Sequence, residues 1–212
     1  METTKNLSER VSWAIEFAWN ITIEKIANGE IRVNKEASLQ LHYSAILKCI
    51  LDLIKFSPTE RIEIELETTL KVDAKPYIVD ILIFYSDGNI NEKHSIELKC
   101  YKTLSSSGGK RGAGDIFMHG VYVDIYYSEL YLKHNFANRT TCLILTDYRN
   151  FIHPKSKNTK NWTYDISQGY ILKGGNFNTS IGGKKVDFKV SGTYKFEWTQ
   201  TGDYWSTILR PE

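Results

Sequence analysis

Asp80 is the lone acid in an otherwise apolar run, PYIVDILIFY at 76–85, and the next such run, HSIELKCY at 94–101, carries Glu97 and Lys99 two positions apart. In an extended strand, side chains at i and i+2 share a face, so Glu97 and Lys99 project together while Ile96, Leu98 and Cys100 face the opposite layer. A hairpin pairing of the two runs brings Asp80 alongside them. A lone carboxylate among Ile78, Val79, Ile81, Leu82 and Ile83 is costly to bury unless a cation or hydrogen-bond donors compensate it. Two converging carboxylates suit a hard divalent cation, and Mg2+ takes one or two carboxylates while retaining waters and phosphate oxygens. A lysine beside them stabilises negative charge developing on an attacked phosphoryl group, and can also orient or deprotonate the attacking water. The chemistry within reach of this trio is metal-assisted phosphodiester hydrolysis. An isolated Glu-x-Lys is more often a solvated cross-strand pair. The buried acid, the strand-like neighbours and a preceding helix able to deliver another carboxylate raise its weight here.

Those side chains meet only if the surrounding chain builds its elements in the right order. Residues 9–27 place Val11, Ile15, Ala18, Trp19 and Ile26 at helical spacing, with Gly29 as a stop. Residues 35–56 predict a second amphipathic helix, capped by Asn34 and followed by Pro58, with Leu39, Tyr43, Ile46, Ile50 and Leu53 on one face. At RIEIELET, 61–68, the period becomes an alternation, as in a half-buried strand. This run, PYIVDILIFY and HSIELKCY, with SDGN as a turn at 86–89, predict three antiparallel strands. TLSSSGGKRGAG at 103–114 predicts a flexible loop. From Asp115 to His134 the strand propensity of VYVDIYY competes with the helical spacing of Met118, Tyr122, Ile125, Glu129 and Leu132, and the length favours a helix. TTCLILTDY at 140–148 predicts a buried strand, and the glycine-punctuated aromatic runs from 162 onward predict hairpins.

PYIVD followed by IELK, in this order of elements, resembles the PD-(D/E)xK nuclease superfamily, the fold of many restriction endonucleases and of recombination and repair nucleases. In that family a helix precedes three antiparallel strands, the second and third bear the acid and the acid-x-lysine, and a helix and another strand follow. Residues 35–148 have that order. The family's proline lies next to its aspartate, whereas Pro76 lies four residues before Asp80. The resemblance implies Asp80 and Glu97 as metal ligands, Lys99 as catalytic lysine, and Mg2+ as cofactor with Mn2+ able to substitute. Many members use a further carboxylate from the helix before the sheet. Glu36 is the candidate here, with Glu67 and, more weakly, Glu16 behind it, although an acid at Glu36 equally suits the first turn of a helix. Gln40, one turn beyond Glu36, and Lys110 and Arg111 of GGKRGAG are candidate nucleic-acid contacts. The glycine-rich segment offers backbone N–H groups and two cations to a phosphate, and reads equally as a mobile linker.

The expected fold class is α/β (α+β), with a restriction-endonuclease-like core at 31–150 whose central mixed β-sheet is flanked by helices. An N-terminal helix at 1–30 and a β-rich C-terminal extension at 151–212 complete a single domain, a size that 212 residues suit. The expected function is Mg2+-dependent endonucleolytic cleavage of double-stranded DNA, as by a type II restriction endonuclease, whose cutting of both strands favours a homodimer. A structure- or end-selective repair, recombination or phage nuclease is the alternative within the same chemistry, and a non-catalytic nucleic-acid-binding module is the alternative outside it. A net charge of +2 is too small to demand a polyanionic partner, and the cluster Lys155, Lys157 and Lys160 reads as a solvated loop. METTKNLSERVSW has no basic region followed by an apolar core, and no apolar run approaches a membrane span, so a cytoplasmic protein away from membranes is expected. Cys49, Cys100 and Cys142 lack metal-ligand spacing and read as core thiols. The five histidines show no paired spacing and none is assigned to catalysis. Trp162, Trp198 and Trp205 read as core or interface rather than as base-stacking platforms.

Overall fold

The computed structural model describes residues 6–72, 75–105, 107–183 and 186–211; residues 1–5, the start of the segment read for a leader, and Ser106 of the glycine-rich loop lie outside them. In chain order the elements are helices α1 (Leu7–Ala27) and α2 (Glu36–Leu53), strands β1 (Arg61–Val72), β2 (Lys75–Ser86) and β3 (Asn91–Tyr101), helix α3 (Gly114–Lys133), strand β4 (Arg139–Thr146) and the short helix α4 (Arg149–Ile152). A 3-10 turn at Lys160–Tyr164 leads to β5 (Ile171–Leu172), β6 (Gly175–Phe177), β7 (Phe188–Val190), β8 (Tyr194–Lys195), β9 (Thr199–Thr201) and β10 (Tyr204–Leu209). The chain is a mixed α/β protein built on one six-stranded sheet of order β1-β2-β3-β4-β10-β9. No helix among the described residues is long and apolar enough to cross a membrane.

The three strands expected to be antiparallel are so, and β4 then joins β3 in parallel. Parallel neighbours need a long crossover, and α3 supplies it, which is why helical spacing prevails over strand propensity in VYVDIYY. One sheet face, with Ile81, Ile83, Ile96, Leu98, Leu143 and Leu145, packs under α1 and α2. The other face, with Cys142 and Ile144, packs under α3 and the C-terminal segments.

Local details depart from the spacing argument at the helix ends. Helix α1 starts two residues early because Asn6 and Glu9 form a capping box, the Asn6 side chain accepting the Glu9 N–H at 2.9 Å while the Asn6 N–H donates to the Glu9 carboxylate at 3.0 Å. Gly29, at φ 78, follows the end of α1 as expected. Helix α2 is flanked by Lys35 rather than capped by Asn34, the Ser38 hydroxyl accepting the Asn34 and Lys35 N–H groups instead. It ends three residues before Phe56, and its buried face is Leu39, Tyr43, Leu47, Ile50 and Leu51, so Leu53 lies exposed. Cys100 and Cys142 are buried, but Cys49 is exposed on α2 and is no core thiol.

The C-terminal segment is woven into the sheet rather than laid on it. Strand β10 pairs with β4 and β9 with β10, while the ribbons β5-β8 and β6-β7 carry aromatic rings onto α3. Tyr122 of α3 sits edge-on to Tyr164 and Phe177, at 5.3 and 4.9 Å between centroids. Trp198 and Trp205 are buried, the Trp198 indole donating to the Ile166 carbonyl at 2.7 Å, whereas Trp162 is half-buried. The polar link is Glu129 on α3, whose carboxylate accepts the N–H groups of Ser191 and Gly192 at 2.7 Å each and the Tyr194 hydroxyl at 3.1 Å. Removing that acceptor returns the exposed Ser191 N–H to water and leaves the part-buried Gly192 N–H without its partner, so Glu129→Ala should cost about 1–3 kcal/mol and raise amide exchange at Ser191 and Gly192. Unchanged denaturant midpoints and exchange rates would rule out this tether.

Candidate active site

The β2–β3 ladder runs from Ser86 opposite Asn91 to Ile81 opposite Ile96 and ends there, while β2 continues against β1 as far as Lys75. Asp80 is the first residue beyond the split. Its carboxylate reaches across and accepts the Leu98 N–H at 2.7 Å, replacing a ladder partner with a side chain. Opposite Asp80 in β1, Glu67 has φ 55, a left-handed backbone that a residue with a side chain adopts at a cost. Glu67 therefore lies within β1 rather than at its end. Gln40 of α2 holds the bend, donating to the Asp80 carbonyl and to the Glu67 carboxylate, each at 2.8 Å.

Glu97 and Lys99 project from β3 on the α3 side, and the structure brings Glu36 and Asp124 to the same place. The Lys99 ammonium lies 3.0 Å from the Asp124 carboxylate and 3.3 Å from that of Glu36, the first residue of α2. Gly120, one turn before Asp124, faces the lysine stem, where an added Cβ would be in ordinary contact with it. Asp124 is the member that spacing arguments passed over. Its signal was available as a lone acid on the buried face of α3, one turn from Val121 and from Ser128. Glu16 is elsewhere, paired with Arg210. Arg111 anchors the glycine-rich loop beside the cluster by donating to the Asn34 carbonyl at 2.7 Å, and Lys110 is exposed on that loop's turn, bridged to Leu104.

Four carboxylates thus surround one ammonium, and burial exaggerates the imbalance. Burial pushes the Asp80 carboxyl up to about 6 against the pull of the Leu98 N–H, with the Glu36 charge adding to the rise. Burial, then Asp124 and Asp80, drive Glu97 well above the carboxylate range. Burial raises Asp124 to about 7 despite Lys99. For Lys99 burial opposes the charge, but the Asp124 and Glu36 carboxylates outweigh it and hold the ammonium above its usual range. Lys99 is therefore a fixed cation and a poor proton acceptor.

The residues fit a divalent cation in one specific respect: Glu97 Oε1 is buried with no hydrogen-bond partner, an acceptor left open beside Asp80. Among the described residues no trio of His, Cys, Asp or Glu is arranged to hold a metal unaided. A pair of carboxylates suffices for Mg2+ when water and substrate oxygens complete its shell. Comparison of the chain with protein-family models, curated proteins and solved structures finds no significant match.

A pH dependence follows for the metal-free protein. Asp80 and Asp124, raised to about 6 and 7, keep protons when folded that the unfolded chain releases in the ordinary carboxylate range. The folded state then binds more protons than the unfolded state between that range and neutrality, so this contribution to stability is present at low pH and lost as pH rises through the folded values. Melting in EDTA should show a loss attributable to Asp80 of about 2–3 kcal/mol between acid and neutral pH. Asp80→Asn, which keeps an acceptor for Leu98, should flatten the profile. A profile indifferent to this change would contradict the burial of a charged Asp80.

Proposed function

We propose that the chain is a Mg2+-dependent endonuclease on the PD-(D/E)xK, restriction-endonuclease-like fold, hydrolysing double-stranded DNA, with type II restriction as the best-supported role and a homodimer as the cutting form. The observation that carries the reading is the convergence of Asp80, Glu97 and Lys99 at the split between β2 and β3, with one Glu97 oxygen buried and unpartnered. The succession of α2, β1 to β3, α3 and β4 supports the same fold.

In this reading Asp80 and Glu97 would hold Mg2+, or Mn2+ in its place, which would supply Lewis acidity toward a phosphoryl oxygen and a more acidic water. Lys99 contributes a permanent positive charge against the negative charge that develops on the attacked phosphate, and its raised pKa favours that role over deprotonating water. Asp124 and Glu36 aim the ammonium from opposite helices, so it need not reorganise as the charge appears. Gln40, a candidate nucleic-acid contact by its place on α2, commits its amide to the Asp80 carbonyl and the Glu67 carboxylate.

Supercoiled plasmid and phage DNA incubated with Mg2+ should yield discrete fragments, and EDTA, Asp80→Ala and Lys99→Ala should each abolish them. Smears or nicks with the same dependence would keep the chemistry and move the role to repair or nonspecific degradation. DNA, single strands, RNA and branched substrates all left intact would reject the enzyme. Because Asp124 acts through Lys99, Asp124→Asn should lower kcat about 10–100-fold, or about 1.4–2.8 kcal/mol, with little change in KM. An equal loss in KM and none in kcat would remove Asp124 from this role.

A further inference from the structure

Strands β3 and β4 are parallel, so Tyr101 and Thr146 leave the sheet side by side and the segments after them meet. Asp147, directly after β4, accepts the Thr103 N–H at 2.7 Å and pairs with Lys102 at 3.0 Å, so its charge is already matched. Next to it opens a cavity of about 480 Å3 lined by Asp147, Tyr148, Arg149, Asn150, His153 and Lys155. Arg149, His153 and Lys155 are exposed, and among the described residues no carboxylate engages their side chains. The structure thus divides the lysine cluster of the 155–160 loop. Lys157 is bound to Asp165 at 2.6 Å and Lys160 reaches the Ser180 carbonyl at 3.5 Å, while Lys155 turns to the cavity.

The charge imbalance here is opposite to that of the carboxylate cluster, and the two places share a strand. Lys99 and Tyr101 lie on one face of β3, about 7 Å apart along it. The Tyr101 ring is 5.9 Å from that of Tyr148 on the cavity wall. A polynucleotide, whose phosphates recur every few ångströms, spans that path within a few nucleotides. We propose that the cavity is a phosphate subsite in which Arg149 and Lys155, with His153 as a further donor, hold the backbone of the strand being cut. This rests on the nuclease reading and adds a second anchoring point to it. Arg149 supplies a planar fork and Lys155 a point charge, the two forms of donor that phosphate oxygens accept.

The test is binding rather than turnover. A labelled duplex oligonucleotide is titrated by fluorescence anisotropy across a salt series with Ca2+ in place of Mg2+, so that a divalent cation offsets the carboxylates, using wild type, the double variant Arg149→Ala/Lys155→Ala, and Lys48→Ala as a charge control on α2. All three positions are exposed, so folding is expected to survive, and circular dichroism verifies it. The double variant should bind at least about tenfold more weakly at low salt, and its slope of log K against log salt should shrink by about 1–2, as for one or two lost phosphate contacts, with Lys48→Ala like wild type. Equal slopes in variant and wild type would overturn the subsite while leaving the nuclease reading intact. If wild type binds no oligonucleotide, both fail. If the double variant loses binding of inorganic phosphate but not of the oligonucleotide, the cavity serves a free anion and the proposal is wrong.

Discussion

Burying several carboxylates together is the constraint on which the arrangement of this protein turns. Asp80, Glu97 and Asp124 lie in or against a core of aliphatic and aromatic side chains, where an unpaired charge is costly. The fold answers with the Lys99 ammonium, the Leu98 N–H, the Tyr131 hydroxyl at Glu97 and protons, and that answer is incomplete at neutral pH. Each surrounding feature makes sense as a way of keeping the acids in place regardless. The split between β2 and β3 frees the Leu98 N–H for Asp80, Gln40 braces the bend, and α3 crosses over to bring Asp124 against Lys99. Were the ladder to continue past Ile81, Asp80 would lose its donor and the acids their convergence.

That assembly depends on topology as much as on residue type. Parallel pairing of β3 and β4 obliges a crossover helix, and the helix must lie on the sheet face that carries Glu97 and Lys99. Antiparallel β4 would have needed only a short turn, and no helix would have faced the lysine. The aromatic layer from the C-terminal ribbons then presses α3 onto the sheet, with Glu129 as its polar fastening. Residues far from the acids in sequence thereby hold Asp124 within 3.0 Å of Lys99.

Strand periodicity made Asp80, Glu97 and Lys99 legible, because a period of two assigns each side chain to a face without reference to the rest of the chain. Helices are less forgiving. A small change in the buried arc moved the core side of α2 from Ile46 and Leu53 to Leu47 and Leu51, since 3.6 residues per turn leaves neighbouring stripes nearly equivalent. Asp124 went unread because its significance lies in a partner 25 positions away on another element, and helical spacing alone offered Glu129 as prominently. The union of β10 with β4 was equally hidden, since nothing local in YWSTIL distinguishes a strand of the central sheet from one of a surface hairpin.

The charge state of Lys99 bears most directly on mechanism. A lysine can serve phosphodiester hydrolysis as a base only if its environment depresses its pKa, by apolar burial or by neighbouring cations. Here burial is present, yet Asp124 and Glu36 oppose it from two helices, and the ammonium is retained. In the proposed nuclease, an environment made of carboxylates suits the lysine to stabilising charge rather than to accepting a proton. The same carboxylates impose a condition on substrate entry, for a phosphate approaching them is repelled unless cations accompany it. Under the proposed nuclease reading, a cation that offsets the carboxylates is therefore a condition for entry of the substrate, because the phosphate adds negative charge and neutralises none of them.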